Sequence, residues 1–107
     1  MIEFEQGSTN VYADLGIPDA EGMLRKARLT SEIDKIIKAR RWSQQQAAEV
    51  MGLSQPKLSE LLRGRFRGIS EIKVLAYLAR LGCDVEIVVS PARVTGASGH
   101  VALSISA

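Results

Sequence analysis

Apolar residues recur at three- and four-residue intervals through most of this chain and then switch, after residue 83, to every second position. Leu29, Ile33, Ile36 and Ile37 stand at i, i+4, i+7 and i+8, one face of a helix, and Met23, Leu24 and Ala27 extend it by two turns. Asp19, just after Pro18, is the predicted cap of that helix. Trp42-Ser43-Gln44-Gln45-Gln46 has the form of a capping box, Ser43 as N-cap and Gln46 reaching back to it, with Trp42 placed to pack against Ala47. Ala47, Val50 and Met51 then form the stripe of a short helix that Gly52 ends. Ser54 caps the next helix, where Pro56 is tolerated because first-turn amides have no partner inside the helix. Its stripe is Leu58, Leu61 and Leu62, and Gly64 closes it. After a loop, Ser70 caps a helix whose expected buried face is Ile72, Leu75, Ala76, Leu78, Ala79 and Leu81. Beyond Gly82, Val85, Ile87 and Val89 alternate with Asp84, Glu86 and Val88, which predicts a half-buried strand. Pro91 to Gly99 reads as a loop, and Val101, Leu103 and Ile105 predict a second strand. The expected organisation is an irregular arm over residues 1–18, a helical domain over 19–82 and a β-strand or hairpin segment over 83–107.

Composition narrows the class. A chain of 107 residues with 46% apolar side chains has room for one domain with a modest core. No apolar run is long enough to span a membrane, and the first five residues lack the basic flank and apolar stretch of a secretion signal, so a cytoplasmic protein is expected. Cys83 has no second cysteine to pair with and reads as a packing residue. With His100, read as an exposed strand residue, it makes too small a set for a zinc site. No Ser/His/Asp set, metal-ligand cluster or phosphate-cradling glycine loop is present, so neither enzymatic activity nor a cofactor is expected.

The net charge of +2 conceals a strong asymmetry. Between Arg25 and Arg80 there are thirteen basic and five acidic residues, a net +8, whereas residues 1–24 carry five acids and no base. A basic block behind an acidic arm is the footprint of a nucleic-acid-binding domain. Arg25, Lys26, Arg28, Lys35 and Lys38 are read as the solvated face of the first long helix.

The informative unit is 44–63: short helix, tight turn, short helix. Ala47 and Ala48 provide small residues where two helices must cross closely, and Gly52 tolerates the positive φ of the turn. Val50, Met51, Leu53, Leu58, Leu61 and Leu62 are expected to face a common core. The second helix is then left presenting Gln55, Pro56, Lys57, Ser59, Glu60 and Arg63 outward. Gln55 suits a bidentate contact to adenine and Lys57 a guanine or phosphate, with Ser59 and Glu60 as secondary readers. Ser43, Gln44 and the helix start behind them suit phosphate, as do Arg63, Arg65 and Arg67 in the loop. The expected DNA-binding set is therefore Ser43, Gln44, Ser54, Gln55, Lys57, Ser59, Arg63, Arg65 and Arg67.

The segment from Ser43 to Ser59 resembles the lambda-repressor-like, XRE-type helix-turn-helix. Asp14-Leu15-Gly16-Ile17-Pro18, Leu62-Arg63-Gly64-Arg65-Phe66 and Leu81-Gly82-Cys83-Asp84-Val85-Glu86-Ile87-Val88-Val89 are similar to blocks of the XRE-type antitoxins that accompany RelE/HigB-like toxins. The resemblance covers residues 14–89; Gly68-Ile69-Ser70 departs from it where many relatives have an aromatic before the serine. It implies a mainly α, four- to five-helix lambda-repressor-like DNA-binding domain. It also implies a repressor that binds its own operator and neutralises a toxin, with Gln44, Ser54, Gln55, Lys57 and Ser59 reading the DNA. An exposed apolar strand needs a partner edge, so pairing of residues 84–90 in a homodimer on a palindromic operator is expected. The competing readings are a protein-interaction module whose acidic arm grips a basic toxin, and a phage-type regulator with no toxin.

Overall fold

The computed structural model describes residues 15–16, 19–93 and 98–106. The acidic arm expected over residues 1–18 lies outside the described residues, apart from Leu15 and Gly16. Four helices are present among the described residues: α1 (Ala20–Ala39), α2 (Gln44–Met51), α3 (Gln55–Leu62) and α4 (Glu71–Arg80).

Local chemistry sets every boundary. Asp19, Ser43, Ser54 and Ser70 are the N-caps, each side chain accepting a first-turn amide. The capping box is complete: the Gln46 N–H donates to Ser43 Oγ at 3.1 Å, and the Ser43 N–H to Gln46 Oε1 at 2.9 Å. All four helices stop in the same way, with a left-handed residue followed by an amide that reaches back to the carbonyl five positions earlier. Those bonds run from Trp42 to Ile37, Leu53 to Ala48, Arg65 to Glu60 and Cys83 to Leu78. The left-handed position is a glycine in three cases and Arg41, at φ 56°, in the fourth. Gly52 has a second reason to lack a side chain. A Cβ there would stand 3.1 Å from the Arg80 guanidinium carbon, and Arg80 Nε donates to the Val50 carbonyl at 3.1 Å. The turn between α2 and α3 is thus tied to α4.

α1 packs on α4 and α3, and α2 packs on α3 and α4. Met23, Leu29, Ile33 and Ile37 of α1 meet Ala47, Ala48 and Met51 of α2, Leu58 and Leu61 of α3, and Val74, Tyr77 and Leu78 of α4 in one core, closed by Phe66 and Leu81. Ala47 and Ala48, the small residues expected at a close helix crossing, are both buried.

Several expectations need correcting. Val50 is 38% exposed, and Ala47, Ala48 and Met51 are the residues of α2 that enter the core. Leu53 and Leu62 are half-buried. On α4 the buried stripe is Val74, Tyr77, Leu78 and Leu81, with Leu75 half-buried and Ile72, Ala76 and Ala79 exposed. This helix has two apolar stripes, and the alternation alone does not say which of them faces inward. Phe66, read as part of a basic loop, is 2% exposed and is a core anchor. Lys26, assigned to the solvated face, is buried, and Arg25 is partly buried. Trp42 is half-buried with the Arg40 guanidinium over its ring at 4.9 Å, in keeping with a packing role. Cys83 is a half-buried free thiol.

The helical unit closes at Val85, and the described residues from Glu86 onward belong to a second unit. Neither predicted strand forms among the described residues, over 84–89 or over 101–106. Ile87 is 65% and Val89 89% exposed, so the face expected to be half-buried is uncovered. Alternation dictates which side chains would share a face. A strand exists only when its amides and carbonyls find a ladder partner, and that condition is not written in residues 84–89 themselves. Among the described residues no helix is long and apolar enough to cross a membrane.

Candidate nucleic-acid interface

α2 and α3 are each eight residues long and meet through the turn at Gly52. The buried Leu58 and Leu61 fix which side of α3 faces inward, and the remaining side carries the candidate readers. Gln55, at the first position of α3, donates from Nε2 to Oε1 of Gln44 at 3.0 Å, and Gln44 is the first residue of α2. The two helix starts are thereby joined side chain to side chain. After this bond Gln55 still has its own Oε1 and a second N–H, the acceptor and donor that a bidentate contact to an adenine edge requires. The Gln44 amide nitrogen remains available beside the α2 amino end, where unpaired amides favour an anion.

Ser43 and Ser54 are spent as caps: their oxygens accept from the amides of Gln46 and Lys57, at 3.1 and 3.3 Å. Their hydroxyl protons remain free to donate to a phosphate. Lys57 is exposed and Ser59 half-buried. Gln55, Pro56, Ser59, Glu60, Arg63 and Arg65 line one shallow, open groove along α3. Gln55, Ser59, Arg63 and Arg65, four of the nine residues proposed from sequence, therefore share a single surface, with Gln44 joined to it through Gln55. Arg67 is exposed on the loop but does not line this groove, and neither does Ser43.

Glu60 has a larger part than that of a secondary reader. Both its oxygens lie near Arg65 Nη1, at 3.1 and 3.4 Å, in an ion pair that is more than half exposed on the arginine side. Such a pair is worth about 0–1 kcal/mol, so a phosphate can displace the carboxylate from Arg65 at little expense. Glu60→Gln is accordingly expected to raise affinity for operator and random DNA alike, about three- to tenfold, and to steepen the salt dependence. Titrating both duplexes at two salt concentrations checks this; a loss confined to the operator would instead make Glu60 a base reader.

The burial of Lys26 was missed from sequence. Lys26 stands at i with Leu29, Thr30, Ile33 and Ile37 at i+3, i+4, i+7 and i+11, on the apolar face of α1. That spacing was the available signal.

Two short capped helices joined at a left-handed glycine, with amide, ammonium and guanidinium groups gathered on the outward side of the second, define a helix-turn-helix regulator. The helix-turn-helix domain family matches residues 11–90. A solved structure assigned as an XRE family transcriptional regulator is 32% identical, with a TM-score of 0.70, over 83% of this chain and 100% of that one. No curated protein matches the chain. The chain belongs to the XRE-type helix-turn-helix family of transcriptional regulators.

Proposed function

We propose that this protein is a sequence-specific, dimeric DNA-binding repressor and, more narrowly, the antitoxin of a toxin–antitoxin pair that represses its own operon. The observation that carries the DNA-reading part is the Gln44–Gln55 bond. It fixes a bidentate amide at the start of α3 and sets a phosphate-seeking amide beside it. Gln55 reads a base edge, Lys57 and Ser59 contact neighbouring positions, and Ser43, Gln44, Ser54, Arg63, Arg65 and Arg67 hold the backbone. The narrower antitoxin role rests on the likeness of residues 14–18, 62–66 and 81–89 to antitoxins that accompany RelE/HigB-like toxins.

A single reading unit of this size contacts too few base pairs to select one site in a genome, which favours two copies on a palindrome. The uncovered apolar run from Val85 to Val89 supports a homodimer joined through residues 84–90. Sedimentation at tens of micromolar is expected to give a dimer, and a monomer at that concentration removes this part of the proposal. The decisive experiment is titration of the protein's own upstream DNA against random duplex. Preference for the upstream site, with affinity falling steeply with salt, supports the repressor. No preference leaves the fold in place and moves the function to protein partners, for which co-purification with the product of a neighbouring small reading frame is the test.

A further inference from the structure

The loop between α3 and α4 carries Arg63, Arg65 and Arg67, and it has no helix or strand to hold its shape. What holds it lies underneath. Lys26 is 7% exposed, and its ammonium donates to the carbonyls of Ile69 at 2.7 Å, Phe66 at 3.3 Å and Arg67 at 3.4 Å. Three carbonyl oxygens aimed at one point repel each other unless a cation stands between them, and an ammonium has three N–H groups to match. Next to it, Arg25 grips Glu71 with two bonds of 2.8 Å, from Nε to Oε2 and from Nη2 to Oε1. Glu71 opens α4, so consecutive residues of α1 fasten both the loop and the element it leads into. The two Glu71 bonds hold the Arg25 guanidinium above its ordinary pKa, against the opposing effect of burial.

Burying a lysine is costly, and an apolar side chain would fill the same space with less penalty. An apolar residue would leave the Arg67 and Ile69 carbonyls without this donor and the Phe66 carbonyl with the Ile69 N–H, at 3.0 Å, so the buried Phe66 ring and that one turn would be left to hold residues 66–69. We propose that Lys26, which itself faces the interior, is a positioning residue for DNA binding: it fixes the main chain of residues 66–69 so that Arg65 and Arg67, flanking the buried Phe66, are presented together to the phosphate backbone. The ordering of the loop is then completed during folding and is not charged to the binding step. This inference rests on the DNA-binding reading above.

The test compares wild type, Lys26→Met and the double variant Arg65→Ala/Arg67→Ala on operator and random duplexes across a range of salt. Each lost phosphate contact lowers the slope of log K against log salt by about 0.9. The expected result is that Lys26→Met loses about as much slope as the double variant, up to about 1.8, while the operator-to-random ratio stays within about twofold. Adding Lys26→Met to the double variant removes nothing further. Backbone amide relaxation of residues 64–69 is expected to show faster motion in Lys26→Met, with α2 and α3 unchanged. A wild-type slope in Lys26→Met, or a slope loss that adds to that of the double variant, overturns the inference. If Lys26→Met loses its helical circular dichroism, Lys26→Gln, with two N–H donors for three carbonyls, takes its place, and a full wild-type slope together with faster motion of residues 66–69 in that variant overturns it equally. Absence of salt-dependent binding by the wild type removes the repressor reading and this inference together. Wild-type binding with an unaffected Lys26→Met removes this inference alone.

Discussion

Leu58→Ala is expected to lower the unfolding free energy by about 3 kcal/mol, within the 2–5 kcal/mol span of buried leucine truncations. Leu58 is fully buried, and it sits at the fourth position of an eight-residue helix that has only Leu61 as a second fully buried anchor. A helix this short has no independent stability, so its persistence depends on these side chains. Against a total of roughly 5–15 kcal/mol for a domain of this kind, the loss is a large share of the whole. Urea titration followed by circular dichroism measures it directly. Val50→Ala is the matched control: Val50 is 38% exposed, and its truncation is expected to move the midpoint much less. Equal effects at the two positions would mean that α3 does not depend on the core in the way its burial pattern implies.

The second large effect is one of discrimination. Gln55→Ala is expected to weaken operator binding about 10- to 100-fold, corresponding to the 1–3 kcal/mol of a bidentate base contact, while random duplex changes by less than about twofold. Because Gln55 is exposed, its removal is expected to leave stability within about 0.5 kcal/mol. The loss therefore appears in the operator-to-random ratio and not in the melting curve. Arg65→Ala is the contrasting variant, weakening both duplexes together and reducing the salt slope. A Gln55→Ala protein that keeps its operator preference would assign readout to Lys57 or Ser59 instead.

The caps of this fold and its three glycine stops were legible because each is settled within a few residues, whereas the stop at Arg41 carries no glycine to announce it. Asp19, Ser43, Ser54 and Ser70 need only an amide three positions on, and Gly52, Gly64 and Gly82 need only their own freedom of φ. The outward face of α3 was legible for a related reason: once Leu58 and Leu61 point inward, helical geometry leaves Gln55, Lys57 and Arg63 outside. The inward stripe of α4 was not legible, since Ile72-Leu75-Ala76-Ala79 and Val74-Tyr77-Leu78-Leu81 are both regular and tertiary contacts decide between them. Lys26 was assigned by its charge, whereas its position among Met23, Leu29 and Ile33 determines its burial. Among the described residues neither predicted strand forms: a ladder needs two segments, and alternation in one segment carries no information about the other.

The division of labour on α3 bears on how such a protein changes over generations. The side chains that seat the helix, Leu58 and Leu61, are distinct from those that face the groove, Gln55, Ser59 and Arg63. Substitution at the outward positions is expected to leave folding nearly untouched, so if these positions read DNA as proposed, operator preference can drift without passing through unfolded intermediates. A duplicated copy can thus acquire a new binding sequence in single steps, each one a folded regulator open to selection.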